Sequence, residues 1–148
     1  MNIKSVLFKW YAKFKCARIL KEHERALDIQ HKTMIQLVRS AERTVFGRDH
    51  QMHNIEDYEG FCNYLSVRNY EDFLPYINRM LQGEGDVLWR GKTLYFAMTS
   101  GTTAGAKYIP ISKESMKHHI VAASNVLLFY ILKHPHVDLF KGKMMFLQ

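Results

Sequence analysis

Thr93-Leu94-Tyr95-Phe96-Ala97-Met98-Thr99-Ser100-Gly101-Thr102-Thr103-Ala104-Gly105-Ala106-Lys107-Tyr108-Ile109-Pro110-Ile111 is the stretch on which the reading of this chain turns. Two short runs rich in aromatic and branched residues, Thr93 to Met98 and Lys107 to Ile111, bracket a polar interval of small residues. The runs have strand composition and the interval holds turn residues, so the pattern predicts a strand-loop-strand hairpin. Within the loop, Thr99, Ser100, Thr102 and Thr103 supply hydroxyls, Gly101 and Gly105 let backbone amides come close to a ligand, and Lys107 supplies an ammonium. These are the parts of a phosphate cradle: freed amides turn inward, hydroxyls donate to phosphate oxygens, and the lysine neutralises charge. The same composition also suits a hairpin tip that binds nothing. Spacing excludes two common cradles. A Walker loop needs G-x4-G-K-[ST] opening a helix, whereas three residues separate Gly101 from Gly105 and Lys107 leads into Tyr108 of a predicted strand. The dinucleotide fingerprint, G-x-G-x-x-G entering a helix, is absent as well.

Outward from the hairpin the chain reads mainly as helix. Between residues 22 and 45, Ala26, Ile29, Met34, Leu37, Val38, Ala41 and Val45 keep a period near that of a helix, with Gly47 as the expected C-terminal stop. Asn54 is expected to cap a short helix beginning at Ile55, and Asn69 a second that begins Tyr70-Glu71-Asp72, tolerates Pro75 near its start and ends at Gly83. After the hairpin, Ser112 is placed to cap a long helix over Lys113 to Lys133, with Met116, Ile120, Val121, Val126, Leu127 and Tyr130 on its apolar side and His134-Pro135 stopping it. Met144 to Leu147 reads as a buried strand. That strand has no turn or partner after it, so the chain is expected to be a piece of a larger domain. The predicted class is α/β: a mainly helical N-terminal portion, then the hairpin, a long helix and a terminal strand, divided as 1–21, 22–90 and 91–148.

A chain of 148 residues, 47% hydrophobic and 24% charged, can bury one ordinary core. Cys16 and Cys62 show neither CxxC spacing nor a histidine at a metal-ligand interval, so reduced thiols and a cytoplasmic setting are expected. No apolar run is long enough to span a membrane, and Lys4, Lys9, Lys13 and Lys15 interrupt what a signal peptide would keep apolar. The net charge of +7 is concentrated at the N-terminus, where Lys4, Lys9, Lys13, Lys15, Arg18 and Lys21 occur in residues 1–21 with no acid. Ile3, Val6, Leu7, Trp10, Tyr11 and Phe14 recur there at helical spacing, giving an amphipathic helix with a cationic outer face. Such a helix suits an anionic membrane or an acidic partner. The expectation adopted is that Val6, Leu7, Trp10 and Phe14 pack on the protein's own helices in the complete chain, with no nucleic-acid partner. His118, His119, His134 and His136 lack a completing ligand at sensible spacing, so no metal site is assigned to them. Tyr58, Tyr64, Tyr70 and Tyr76 are expected in the core, and Trp89 as a packing anchor.

The loop and its flanks together resemble a known family. Thr99-Ser100-Gly101-Thr102-Thr103, with Lys107 at the right interval, is similar to the phosphate-binding signature of the adenylate-forming superfamily. Arg43-Thr44-Val45-Phe46-Gly47, Val67-Arg68-Asn69-Tyr70-Glu71-Asp72, Pro75-Tyr76-Ile77, Gly83-Glu84, Val87-Leu88-Trp89 and Tyr108-Ile109-Pro110-Ile111-Ser112 narrow the likeness to the auxin-responsive acyl-acid amido synthetases, from about Arg43 to Ser115. The resemblance implies the large N-terminal domain of an adenylate-forming enzyme. Such an enzyme uses ATP and magnesium to activate a carboxylic acid as an acyl-adenylate and passes the acyl group to an amino acid. It implies that Thr99, Ser100, Gly101, Thr102 and Thr103 bind the nucleotide's phosphates and that Lys107 acts at the mouth of the loop. Ala104 and Ala106 depart from the glycine and proline frequent in that superfamily. Because the family takes its other substrate contacts from later in the chain, residues 1–148 alone are expected to be inactive. The alternatives kept open are an acyl-CoA ligase of the same superfamily, or a non-catalytic module binding a membrane or partner through the basic N-terminal helix.

Overall fold

A computed structural model describes residues 3–100 and 105–137; the strand expected at Met144 to Leu147 lies outside them. Its elements are α1 (Ile3–His23), α2 (Ala26–Ala41), α3 (Val45–Asp49), a short 3-10 helix (Met52–Asn54), α4 (Tyr58–Tyr64), α5 (Tyr70–Leu81), β1 (Tyr95–Met98), β2 (Tyr108–Ile111) and α6 (Lys113–Lys133). A helical portion followed by an antiparallel hairpin and a long helix is the class read from the sequence. The chain divides into two compact units, Leu27–Met116 and the combination of Met1–Ala26 with Lys117–Gln148.

In the first unit, α2, α3, α4, α5 and the hairpin are joined by two apolar clusters. Val38, Ala41, Met52 and Ile55 form one, with Phe61, Leu65 and Trp89 against it. Val45, Met80 and Val87 form the other, with Tyr76 and Phe96 alongside. Gly47 plays a different part from the helix stop expected of it. α2 already ends at Ala41, and Thr44 caps the new helix α3, its Oγ1 accepting from the Gly47 amide at 3.0 Å and donating to the Ala41 carbonyl at 2.7 Å. Gly47 is packed on the end of α2 so closely that a Cβ would run into the Ala41 carbonyl oxygen and come within 2.8 Å of the Glu42 carbonyl. Close backbone approach requires this glycine. The other two first-turn amides of α3 are taken from afar: Val45 donates to Asp86 O at 2.8 Å and Phe46 to Val87 O at 3.0 Å. The orphan donors of a helix start thus tie α3 to the segment entering the hairpin.

The first short helix also starts later than predicted. Asp57, not Asn54, caps α4, accepting from the Gly60 amide at 2.8 Å, while Asn54 ends the 3-10 helix. Ile55 is fully buried, and the backbone runs extended through it to bring it into the core, which leaves Asp57 as the first position free to cap. Asn69 does cap α5, in a reciprocal box with Asp72: the Asp72 amide donates to Asn69 Oδ1 at 3.1 Å and the Asn69 amide to Asp72 Oδ2 at 2.9 Å. Gly83, at φ +87°, follows the helix end, its amide on Met80 O. Ser112 caps α6 as expected, accepting from the Ser115 amide at 3.0 Å. The tyrosines divide: Tyr58 and Tyr64 are exposed, Tyr70 and Tyr76 half-buried, and Tyr76 donates its hydroxyl to Asp49 at 2.9 Å. Their spacing reported helix faces but not which faces the core covers.

In the second unit, α1 buries Ser5, Ala12 and Cys16, and the neighbouring part of α6 buries Leu128 and Ile131, with Phe8 packed against Ala12, Cys16 and Leu128. Lys9 Nζ donates to Pro135 O at 2.6 Å. Within residues 1–148 both helices therefore pack through faces other than the apolar sides read from the sequence. Val6, Leu7, Trp10 and Phe14 of α1, and Met116, Ile120, Val121, Val126 and Tyr130 of α6, are exposed. Apolar residues occur on most sides of both helices, and the side with the smallest residues allows the closest approach of α1. Burial pushes the Cys16 thiol up from its ordinary range, so it stays protonated and serves as packing.

Candidate functional site

β1 and β2 pair with Tyr95 opposite Ile111, Phe96 opposite Pro110, Ala97 opposite Ile109 and Met98 opposite Tyr108. The ladder continues one step beyond the strands, because the Thr99 amide donates to Lys107 O at 3.0 Å and the Lys107 amide to Thr99 Oγ1 at 3.3 Å. Thr99 and Lys107 thus close the base of the loop. Ser100, Gly105 and Ala106 are exposed at its mouth. Gly105 takes φ +80° with open space around its Cα, so its glycine character serves conformation rather than packing. Gly101, Thr102 and Thr103 lie outside the described residues.

Lys107 is about one-third exposed and is held from the side by the start of α5. Its Nζ lies 3.5 Å from Glu71 Oε1 and 4.8 Å from the centre of the Tyr70 ring, and Tyr70 OH accepts from the Tyr108 amide at 2.9 Å. The Asn69–Asp72 capping box fixes the first turn of α5, and with it these two side chains. An exposed ion pair of this kind is worth at most about 1 kcal/mol, so its value is orientation: the ammonium is kept beside the loop. Reading by sequence put Tyr70 in the core and gave Glu71 no role. The usable signal was the Asn69 cap, which sets Tyr70-Glu71 at a helix start, but nothing local announces that this start lies against the hairpin. Tyr70→Phe is expected to speed hydrogen exchange of the Tyr108 amide by about fivefold, the equivalent of about 1 kcal/mol. Exchange at the α5 amides should not change. Unchanged exchange at Tyr108 would show that the hydroxyl does not hold this strand.

Of the other residues singled out, Trp89 packs against the first cluster and its indole N–H donates to Glu114 at 3.2 Å. His134 lies against the Tyr130 ring at 4.6 Å, while His118, His119 and His136 are exposed. Among the described residues, no three His, Cys, Asp or Glu side chains gather as a metal would require. No helix among them is long and apolar enough to cross a membrane.

The hairpin, its lysine and the helix start that holds it all fall within one family domain. Residues 15–148 match the GH3 family N-terminal domain. No curated protein matches the chain. With nearly its whole length spanned by that domain, the chain belongs to the GH3 family, the family of the auxin-responsive acyl-acid amido synthetases.

Proposed function

We propose that the hairpin loop binds the phosphates of ATP in an enzyme that activates a carboxylic acid and conjugates it to an amino acid. The observation that supports this most directly is the closure of the loop by Thr99 and Lys107 with the Lys107 ammonium held at its side. A polar loop closed at its base, with small residues and a cation beside it, fits a polyanion. In this reading Ser100, Gly101, Thr102 and Thr103 donate to the β- and γ-phosphates. Thr99, whose amide and hydroxyl oxygen are both engaged with Lys107, contributes mainly by keeping the loop closed. Magnesium would enter with the nucleotide and supply charge to its phosphates, the usual way this ion joins a nucleotide site. ATP supplies the group that activates the acid; the chain's own residues hold the departing phosphates and spread their charge over preorganised donors, and no covalent nucleophile is needed. Residues 1–148 bind nucleotide but do not turn it over, because the acid and amine contacts come from elsewhere in a complete enzyme.

Lys107→Ala tests the assignment in this chain directly. Removing a charge-assisted contact to phosphate is expected to weaken ATP binding about tenfold, measured by displacement of a fluorescent nucleotide analogue. Lys107→Arg should retain most of the affinity, since charge rather than shape is needed. Equal affinity of the wild-type and alanine forms would remove Lys107 from the phosphate site.

A further inference from the structure

We infer that α1 seats the protein on an anionic membrane surface, with Trp10 and Phe14 entering the headgroup layer. On a helix of 3.6 residues per turn, Ile3, Leu7, Trp10 and Phe14 share one face, and the packed Ser5, Ala12 and Cys16 share the opposite one. The helix is held by its small face and presents its large one: Trp10 is 70% exposed and Phe14 60%. Their rings lie nearly parallel, with centroids 6.4 Å apart and planes 13° from parallel, so the two form one stacked apolar plate. Lysines border this plate on both sides, Lys4 and Lys15 on one flank and Lys13 on the other, and no acid occurs before Glu22. Long cationic side chains beside an aromatic strip let the strip sink while their heads stay at the phosphates.

Charge selects the occupant. A second copy would set two such basic segments against each other with no acid to compensate, whereas an anionic lipid surface offers both the negative potential and the apolar layer beneath it. Among the described residues no helix can span a bilayer, so the attachment is to one face of it. This takes up the membrane alternative in place of packing on the protein's own helices in the complete chain, and it stands independently of the nucleotide reading.

Co-sedimentation of the chain with vesicles of phosphatidylcholine containing one-third phosphatidylserine tests it. Binding is expected at low salt, falling at least about tenfold at high salt and on vesicles of phosphatidylcholine alone. Trp10→Ser with Phe14→Ser should lower binding by about tenfold or more, with an unchanged circular dichroism spectrum because both residues are exposed. In Trp10→Phe, vesicle binding should persist while the blue shift of tryptophan emission seen with the wild-type chain disappears, which identifies Trp10 rather than Trp89 as the inserted residue. Equal binding by the wild-type and double-serine forms would overturn the inference. So would absence of binding to phosphatidylserine vesicles, or self-association abolished by the double substitution.

Discussion

Alanine at both Thr102 and Thr103, placed in a complete GH3 enzyme carrying this sequence, is expected to lower acid-dependent exchange of labelled pyrophosphate into ATP by about 100- to 1000-fold. Loss of one preorganised donor to charge that develops in the reaction typically costs a factor of that size, because the donor is already oriented and nothing must reorganise at the moment of transfer. Stability should change little. The hairpin is closed by backbone and side-chain bonds between Thr99 and Lys107 and braced by Tyr70, none of which uses the two hydroxyls. The loss should fall mainly on the maximal rate if the hydroxyls serve the departing pyrophosphate, and on the ATP requirement if they only bind ground-state nucleotide. Exchange at the wild-type level in the double variant, with normal melting, would refute the phosphate assignment. Absence of exchange with every carboxylic acid in the unmodified enzyme would refute acid activation.

Gly47→Ala should give the second large effect, this time on folding. In most helices the change stabilises by up to about 1 kcal/mol, since alanine is the better helix former. Here the sign inverts. The new Cβ would meet the carbonyl of Ala41 and the backbone of Glu42, and both belong to main chain that cannot swing aside. Displacing α3 would also break the cap from Thr44 and the bonds from Val45 and Phe46 to Asp86 and Val87. A loss of about 3 kcal/mol or more is expected, lowering the melting temperature by on the order of 10 °C. Thr44→Val, which removes the cap and leaves the space, should cost about 1–2 kcal/mol. A Gly47→Ala protein that melts at or above the wild-type temperature would show that α2 and α3 do not approach this closely.

What the sequence made legible follows the range of the interactions involved. Asn69 and Ser112 were readable as caps because donor and acceptor lie three residues apart, and the hairpin because strand-forming runs around a glycine-bearing polar loop are local marks. Gly47 was misread because its reason lies in the preceding helix, whose end the apolar periodicity ran through. The faces through which α1 and α6 pack on each other were not legible because apolar residues lie on several sides of each, and only a partner's shape decides between them. At the site, the loop's chemistry and its lysine were visible in the residue types. Tyr70 and Glu71, far upstream of Lys107, were not, since only the tertiary fold sets them beside it.

The pairing of the hairpin also determines where its sheet is able to grow. The bond from the Thr99 amide to Lys107 O sets the phase of the ladder, and antiparallel alternation then turns the backbone nitrogens of residues 108 and 110 away from β1, along the outer edge of β2. Neither offers a free donor there: the Tyr108 amide is spent on Tyr70 OH, and Pro110 has no N–H at all. A strand approaching β2 would find a row of carbonyls with nothing to answer its own, which closes that edge to stray pairing between molecules. Any further strand of this sheet, whether from the same chain or another, has to join at β1.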